Sequence, residues 1–144
     1  MTPSTAGDVR RWFVTGASSG MGRAMVECAL GDGDKVIAAV RKPEALAELQ
    51  AQFPQTLEVE QLDVRDRAAI GRTVELVLAR GPVDIVVNNA GYGAIGAAEE
   101  LTQDVIDDQL QTLLIAPIAT TRAFLPAMRE RGRGHIIQIS SLGG

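Results

Sequence analysis

Short apolar runs alternate along this chain with longer stretches in which apolar positions recur every three or four residues, the first pattern predicting buried strands and the second amphipathic helices. Predicted strands fall at 11–15, Lys35–Val40, 56–62, 83–87 and 135–139. The first predicted helix opens at the glycines near residue 20. It carries Met21, Ala24, Met25, Cys28 and Ala29 on one stripe, with Gly31 and Gly33 as stop signals. A second spans 43–53 with Leu46, Leu49 and Phe53 inward. A third is capped by Asp66, carries Ile70, Val74, Val77 and Leu78 on one face, and ends at Gly81-Pro82. A long helical region over 102–130 precedes the last strand. Strands that are apolar almost throughout, separated by helices, imply a parallel sheet covered on both faces. Right-handed crossovers then give the spatial order 3-2-1-4-5.

The junction between the first strand and the first helix carries the chemistry. It reads Thr15-Gly16, then Ser18, Ser19, Gly20, Met21, Gly22 and Arg23. Glycines at 16, 20 and 22 allow a tight turn, let a ligand phosphate reach bare backbone, and let helix and strand pack closely. Amides at a helix N-terminus attract anions. A second motif, Asn88-Asn89-Ala90-Gly91, directly follows the fourth strand. In a sheet of this order both motifs lie at the reversal between strands one and four, where the ligand crevice opens. The expectation is an α/β fold, a Rossmann-type doubly wound parallel sheet over 11–144, preceded by a flexible tail at 1–10.

The spacing Thr-Gly-x-x-x-Gly-x-Gly, together with Asn-Asn-Ala-Gly in register, resembles the short-chain dehydrogenase/reductase family from Arg11 onward. That resemblance implies hydride transfer between a nicotinamide cofactor and an alcohol or ketone. It implies that Asp63 and Val64 hold the adenine, and that Asn89, Ala90 and Gly91 pass beside its ribose. The end of the second strand reads Arg41-Lys42 rather than carrying a carboxylate that would repel a 2′-phosphate. Arg41 and Arg23 are therefore expected to clamp that phosphate, favouring NADP over NAD.

The catalytic set implied by the resemblance is a serine, a tyrosine and a lysine. Of these the sequence locates Ser141, in the segment Ser140-Ser141-Leu142-Gly143-Gly144. The one tyrosine is Tyr92, with Gly96 four places on, so there is no Tyr-x-x-x-Lys. Tyr92 is expected to line the cleft. In the family the missing motif follows shortly after the serine, and this sequence stops three residues past Ser141, so truncation is expected and turnover by the chain alone is not. Leu113 stands where most members carry an asparagine, and Pro117 four residues later should free the Leu113 carbonyl and distort the helix.

Charge and composition narrow the classes. With 14 basic and 18 acidic residues and a net charge of −4, nothing points to nucleic acid or an anionic membrane. No stretch approaches a bilayer span, and a cytoplasmic protein is the default. The one cysteine, Cys28, lies on the predicted apolar stripe and is expected to be buried. His135 has no neighbours at metal-ligand spacing, so no metal is expected. Glu99, Glu100, Asp104, Asp107 and Asp108 read as solvated charges favouring the start of the long helix. The alternatives to an oxidoreductase are a non-catalytic NADP-binding sensor and an assembly module pairing through the apolar edge at 135–139. The resemblance also implies homo-oligomers, formed partly through the long helix.

Overall fold

A computed structural model describes residues 8–141. Most of the predicted tail at 1–10, and Leu142 to Gly144 of the serine segment, lie outside them. Five parallel strands form one sheet in the order β3-β2-β1-β4-β5: β1 Arg11–Thr15, β2 Lys35–Val40, β3 Leu57–Gln61, β4 Ile85–Asn88 and β5 His135–Gln138. The central register pairs Phe13 with Ile37 on one side and with Val86 on the other. Successive residues of these strands feed opposite faces, as the pleat requires. Phe13, Ile37 and Val86 enter one core with Ile70, Val74, Phe124 and Met128, whereas Val14, Ala38 and Val87 enter the other with Val26, Leu46 and Leu49. Both faces are thus covered, which is why these strands lack polar alternation.

The helices are α1 Gly20–Gly31, a 3-10 turn Pro43–Leu46 running into α2 Ala47–Gln52, α3 Arg67–Ala79, α4 Gln103–Leu110 and α5 Ala116–Arg131. Asp66 caps α3 by accepting from the Ala69 amide at 2.9 Å, worth about 1 kcal/mol. The Phe13 and Phe124 rings meet at 4.9 Å, joining α5 to the centre of the sheet. Truncating Phe124 to alanine would open a cavity there, at a cost of about 3–5 kcal/mol.

One expectation is corrected and another takes a definite form. The inward stripe of α1 is Gly22, Val26, Ala29 and Leu30, one residue round from the predicted one, so Met21 is 61% exposed and Cys28 is exposed. Gly22 sets that rotation: a Cβ there would lie 2.4 Å from the Gly16 carbonyl oxygen, so the helix must turn this glycine toward the loop. The long helix, in turn, is not continuous. Between α4 and α5, Gln111–Ile115 form a π turn, in which the Ala116 amide donates to the Gln111 carbonyl. The distortion expected near Leu113 and Pro117 takes this form.

Candidate functional site

A cleft of about 620 Å³ opens at the C-terminal ends of the strands, within the size range of ligand sites. Its floor is the junction of the two motifs. The Thr15 hydroxyl accepts from the amides of Asn89 (3.0 Å) and Ala90 (3.1 Å) and donates to the Val87 carbonyl (3.3 Å). The Asn89 side-chain amide donates back to the carbonyls of Thr15 and Gly16, both at 3.1 Å. These bonds satisfy the backbone between strands one and four, and they force close packing. A Cβ on Gly22 would sit 2.3 Å from Asn89 Nδ2, and one on Gly16 would sit 2.7 Å from Ala90 Cα. Gly16 (φ 66°) and Gly20 (φ 55°) also adopt the left-handed region that favours glycine.

Ser19 stands at the N-cap of α1 but its side chain makes no capping hydrogen bond. The first-turn amides of α1 therefore keep their capacity for an anion. Of the residues singled out from the sequence, Gly16, Ser18, Ser19, Gly20, Met21, Arg41, Asp63, Val64, Asn89, Ala90 and Gly91 all line this cleft. So does Tyr92, as expected. Thr15 and Gly22 lie beneath the floor and shape it.

Arg23 is not among the lining residues. Its Nε donates to Glu27 one turn along α1 at 2.8 Å, and a terminal nitrogen donates to the Ala45 carbonyl at 3.3 Å. The i+4 carboxylate holds the guanidinium outside the cleft and draws it to the loop after β2. Lys42, adjacent to Arg41, lines the cleft instead. Ser140 and Ser141 follow β5, are exposed, and are not among the lining residues.

The sequence reading also missed a bridge across the cleft. Arg65 donates from its amide (3.0 Å) and guanidinium to the Asp63 carboxylate, reaching Oδ2 at 2.7 Å, and from another guanidinium nitrogen to Asp108 on α4 at 2.9 Å. The Arg65 side chain holds the Asp63 carboxyl below the usual carboxylate range, outweighing the opposing effect of burial, with help from the Arg65 amide and the nearby charge of Arg41. Asp108 is thus a partner in an ion pair, not only a solvated charge at the head of the helix. The other predicted roles there are filled by Thr102, which caps α4 through the Val105 amide, and by Asp107, which accepts from Gln103 at 2.7 Å. An arginine two residues after Asp63 was the available signal, because that spacing suits a local Asx-type pairing. Leu113 packs over Gly91, where an added Cβ would meet its Cδ2 at 2.9 Å. Among the described residues no group of three or more His, Cys, Asp or Glu could hold a metal, and no helix is long and apolar enough to cross a membrane.

A doubly wound sheet with its crevice at the strand-order reversal, floored by close-packed glycine backbone, defines a Rossmann-like α/β protein. The family model for short chain dehydrogenases matches residues 10–144. This chain belongs to the short-chain dehydrogenase family. It is 40% identical over 135 residues to Oxidoreductase BOA17 of Botryotinia fuckeliana, covering 92% of this chain and 49% of that protein. It is 42% identical over 143 residues to the NADP-dependent 3-hydroxy acid dehydrogenase YdfG of Escherichia coli K12, covering 92% and 54%. A short-chain dehydrogenase structure from Streptomyces avermitilis superposes with a TM-score of 0.92 at 46% identity, over 99% of this chain and 52% of that one. The chain spans about half the length of the curated relatives it matches.

Proposed function

We propose that this chain provides the cofactor side of an NADP(H)-dependent oxidoreductase acting on a small alcohol or carbonyl compound. The observation that carries this reading is the uncapped, glycine-lined start of α1 at the floor of a cleft whose rim bears Arg41 and Lys42. The similarity to an NADP-dependent dehydrogenase supports it.

The uncapped amides at the start of α1, with the loop from Gly16 that leads into them, hold the pyrophosphate; the Gly16 amide itself is taken by the Ala39 carbonyl at 3.1 Å. Arg41, with Lys42 in place of Arg23, takes the 2′-phosphate; among the described residues the Arg41 guanidinium has no hydrogen bond or ion pair of its own. Asp63 and Val64 face the adenine, and Asn89, Ala90 and Gly91 flank the ribose. When bound, the nicotinamide supplies or accepts a hydride. Ser141 polarises the substrate oxygen. With no Tyr-x-x-x-Lys in these 144 residues and leucine at 113, binding without turnover is the expected behaviour of the chain by itself, as in a sensor. Assembly into homo-oligomers and a cytoplasmic setting belong to the same proposal.

Fluorescence titration with NADPH and NADH tests it. The wild-type chain should bind NADPH roughly tenfold or more tightly than NADH, and Arg41→Asp should abolish that ratio. Equal affinity for both coenzymes would remove the role given to Arg41; no binding of either by a folded chain would remove the reading itself.

A further inference from the structure

The loop after β3, and the helical run from α4 into the π turn, meet the cleft with the same pattern: a buried residue at depth and a charged one at the rim. On the loop these are Val64 and Arg65. On the helix they are Thr112, which is buried, and Asp108 about one turn earlier. All four line the cleft, as does Asp63. The Arg65 guanidinium joins the two charged rims.

Its two arms are unequal. Toward Asp63 it is held several times over: the Arg65 amide and Nε both donate to Oδ1 at 3.0 Å, and Nη2 donates to Oδ2 at 2.7 Å. Toward Asp108 there is one bond, from Nη1 to Oδ2 at 2.9 Å. Both side chains of that second pair are open to solvent, at 39% and 48%. An exposed pair of this kind shifts an equilibrium by no more than about fivefold. That is too little to hold two elements together permanently, and enough to slow a departure. The helix does not depend on it, because Gln109 donates to the Tyr92 carbonyl at 3.0 Å and keeps α4 tied to the loop after β4. The Asp108 arm is therefore the one that opens, and Arg65 stays anchored on Asp63.

We propose that Arg65 and Asp108 form a clasp at the adenine end of the cleft, which closes after the coenzyme has entered and sets how long it stays. The inference rests on the coenzyme reading above, in which the adenine lies against Asp63 and Val64. Asp108 acts through Arg65 and is a positioning residue. The clasp divides the work with Arg41 and Lys42: those cations select the coenzyme by its 2′-phosphate, whereas a clasp over the adenosine end retains NADPH and NADH alike.

Stopped-flow displacement of NADPH and of NADH from the wild-type chain, Asp108→Ala, Asp108→Glu, Arg65→Ala and the double alanine variant tests it. Asp108→Ala should release both coenzymes about three- to fivefold faster with little change in entry rate, leaving the NADPH-to-NADH ratio of affinities as it was. Asp108→Glu should restore slow release, and the double variant should release no faster than Arg65→Ala alone. In 1 M NaCl the wild-type chain and Asp108→Ala should converge, because an exposed pair is screened. Adenosine 2′,5′-bisphosphate, used as a competitor, should lose affinity for Asp108→Ala by the same factor as NADPH; no loss would take the effect away from the adenine end and overturn the clasp. Faster entry with unchanged release would make the pair a bar that the ligand must displace, and overturns it too. If the folded wild-type chain binds neither coenzyme, the coenzyme reading fails; if it binds them and Asp108→Ala releases them at the wild-type rate, the clasp alone fails.

Discussion

The two ends of the sheet treat polar backbone in opposite ways. At the N-terminal end, carboxylates placed just before β2 and β4 reach in and take up the donors of β1. Asp34 accepts from the Arg10 amide and guanidinium, both at 2.9 Å, and from the Trp12 indole at 2.8 Å. Asp84 accepts from the Arg11 amide at 2.9 Å and pairs with Arg131 at 2.7 Å. Arg11 in turn donates to the carbonyls of Val77 and Gly81, fixing the end of α3. Both of these carboxylates are answered by internal donors, so they hold the fold together and have little left to offer a ligand. At the C-terminal end the chain removes side chains instead, and the first-turn amides of α1 have no side-chain cap. The difference shows where a doubly wound fold keeps its stability and where it keeps its binding capacity.

The sharpest way to break this contrast is to put a side chain on the bare end. Gly22→Ala places a Cβ against Asn89 Nδ2 and against a backbone oxygen of Gly16 that has no room to retreat. The expected result is a loss of about 3 kcal/mol in urea unfolding, at the upper end of overpacking, and a fall of at least about tenfold in NADPH affinity by fluorescence titration. Gly20→Ala is the companion measurement. Nothing lies within 4 Å of its added Cβ, and only the left-handed φ of 55° opposes it, so stability falls by about 1–2 kcal/mol. If Gly20→Ala proved as damaging as Gly22→Ala, close helix-to-loop packing would not be what the glycines are for.

At the closed end the prediction has the opposite profile. Asp84→Ala leaves the Arg11 amide without its acceptor and the Arg131 guanidinium with only the Val83 carbonyl, which should cost roughly 2–3 kcal/mol. NADPH affinity should stay within about twofold. A large drop in affinity would show that the two ends are coupled. Acid should attack the same end. Burial pushes the carboxyls of Asp34 and Asp84 up, but the hydrogen bonds and charges of Arg10, Trp12, Arg11 and Arg131 outweigh it, so both sit below the ordinary value. The folded state then binds fewer protons than the unfolded one at low pH. Stability from these groups is fully present above the unfolded carboxylate value, near pH 4, and is lost as pH falls through the lowered folded values. Thermal unfolding from pH 7 to pH 3 should show a downward acid limb, and Asp34→Asn should start lower and make that limb shallower.

What the sequence made legible is local or periodic. The strand order, the two motifs at the strand-order reversal and the Asp66 cap each follow from residues close in sequence or from the pattern of apolar runs. What stayed hidden depends on contacts between distant residues. Arg23 and Arg41 look alike on paper, and only the carboxylate of Glu27 one turn away separates their fates. The Arg65 bridge to Asp108 joins positions 43 apart, and the π turn arises where Pro117 removes a donor inside a helix that must still pack Thr112 and Ala116 inward. The stripe of α1 was misread by one residue because two adjacent registers, one with Met21 and Cys28 and one with Val26 and Leu30, are almost equally apolar.

That helix starts at the open end of the sheet and finishes beside Asp34 at the closed one, so its rotation is where the two ends meet. The smallest predicted effect tests it. Cys28 is exposed, and Cys28→Ser should change stability by no more than about 0.5 kcal/mol. Val26, fully buried two residues earlier, should cost several times more when cut to alanine. The Cys28 thiol should also react with a bulky disulfide reagent in the native chain nearly as fast as in urea. Slow native reaction with a costly Cys28→Ser would turn α1 back by one residue. Gly22 would then leave its contact with the Gly16 carbonyl, and the close packing that keeps the floor of the cleft free of side chains would have no source.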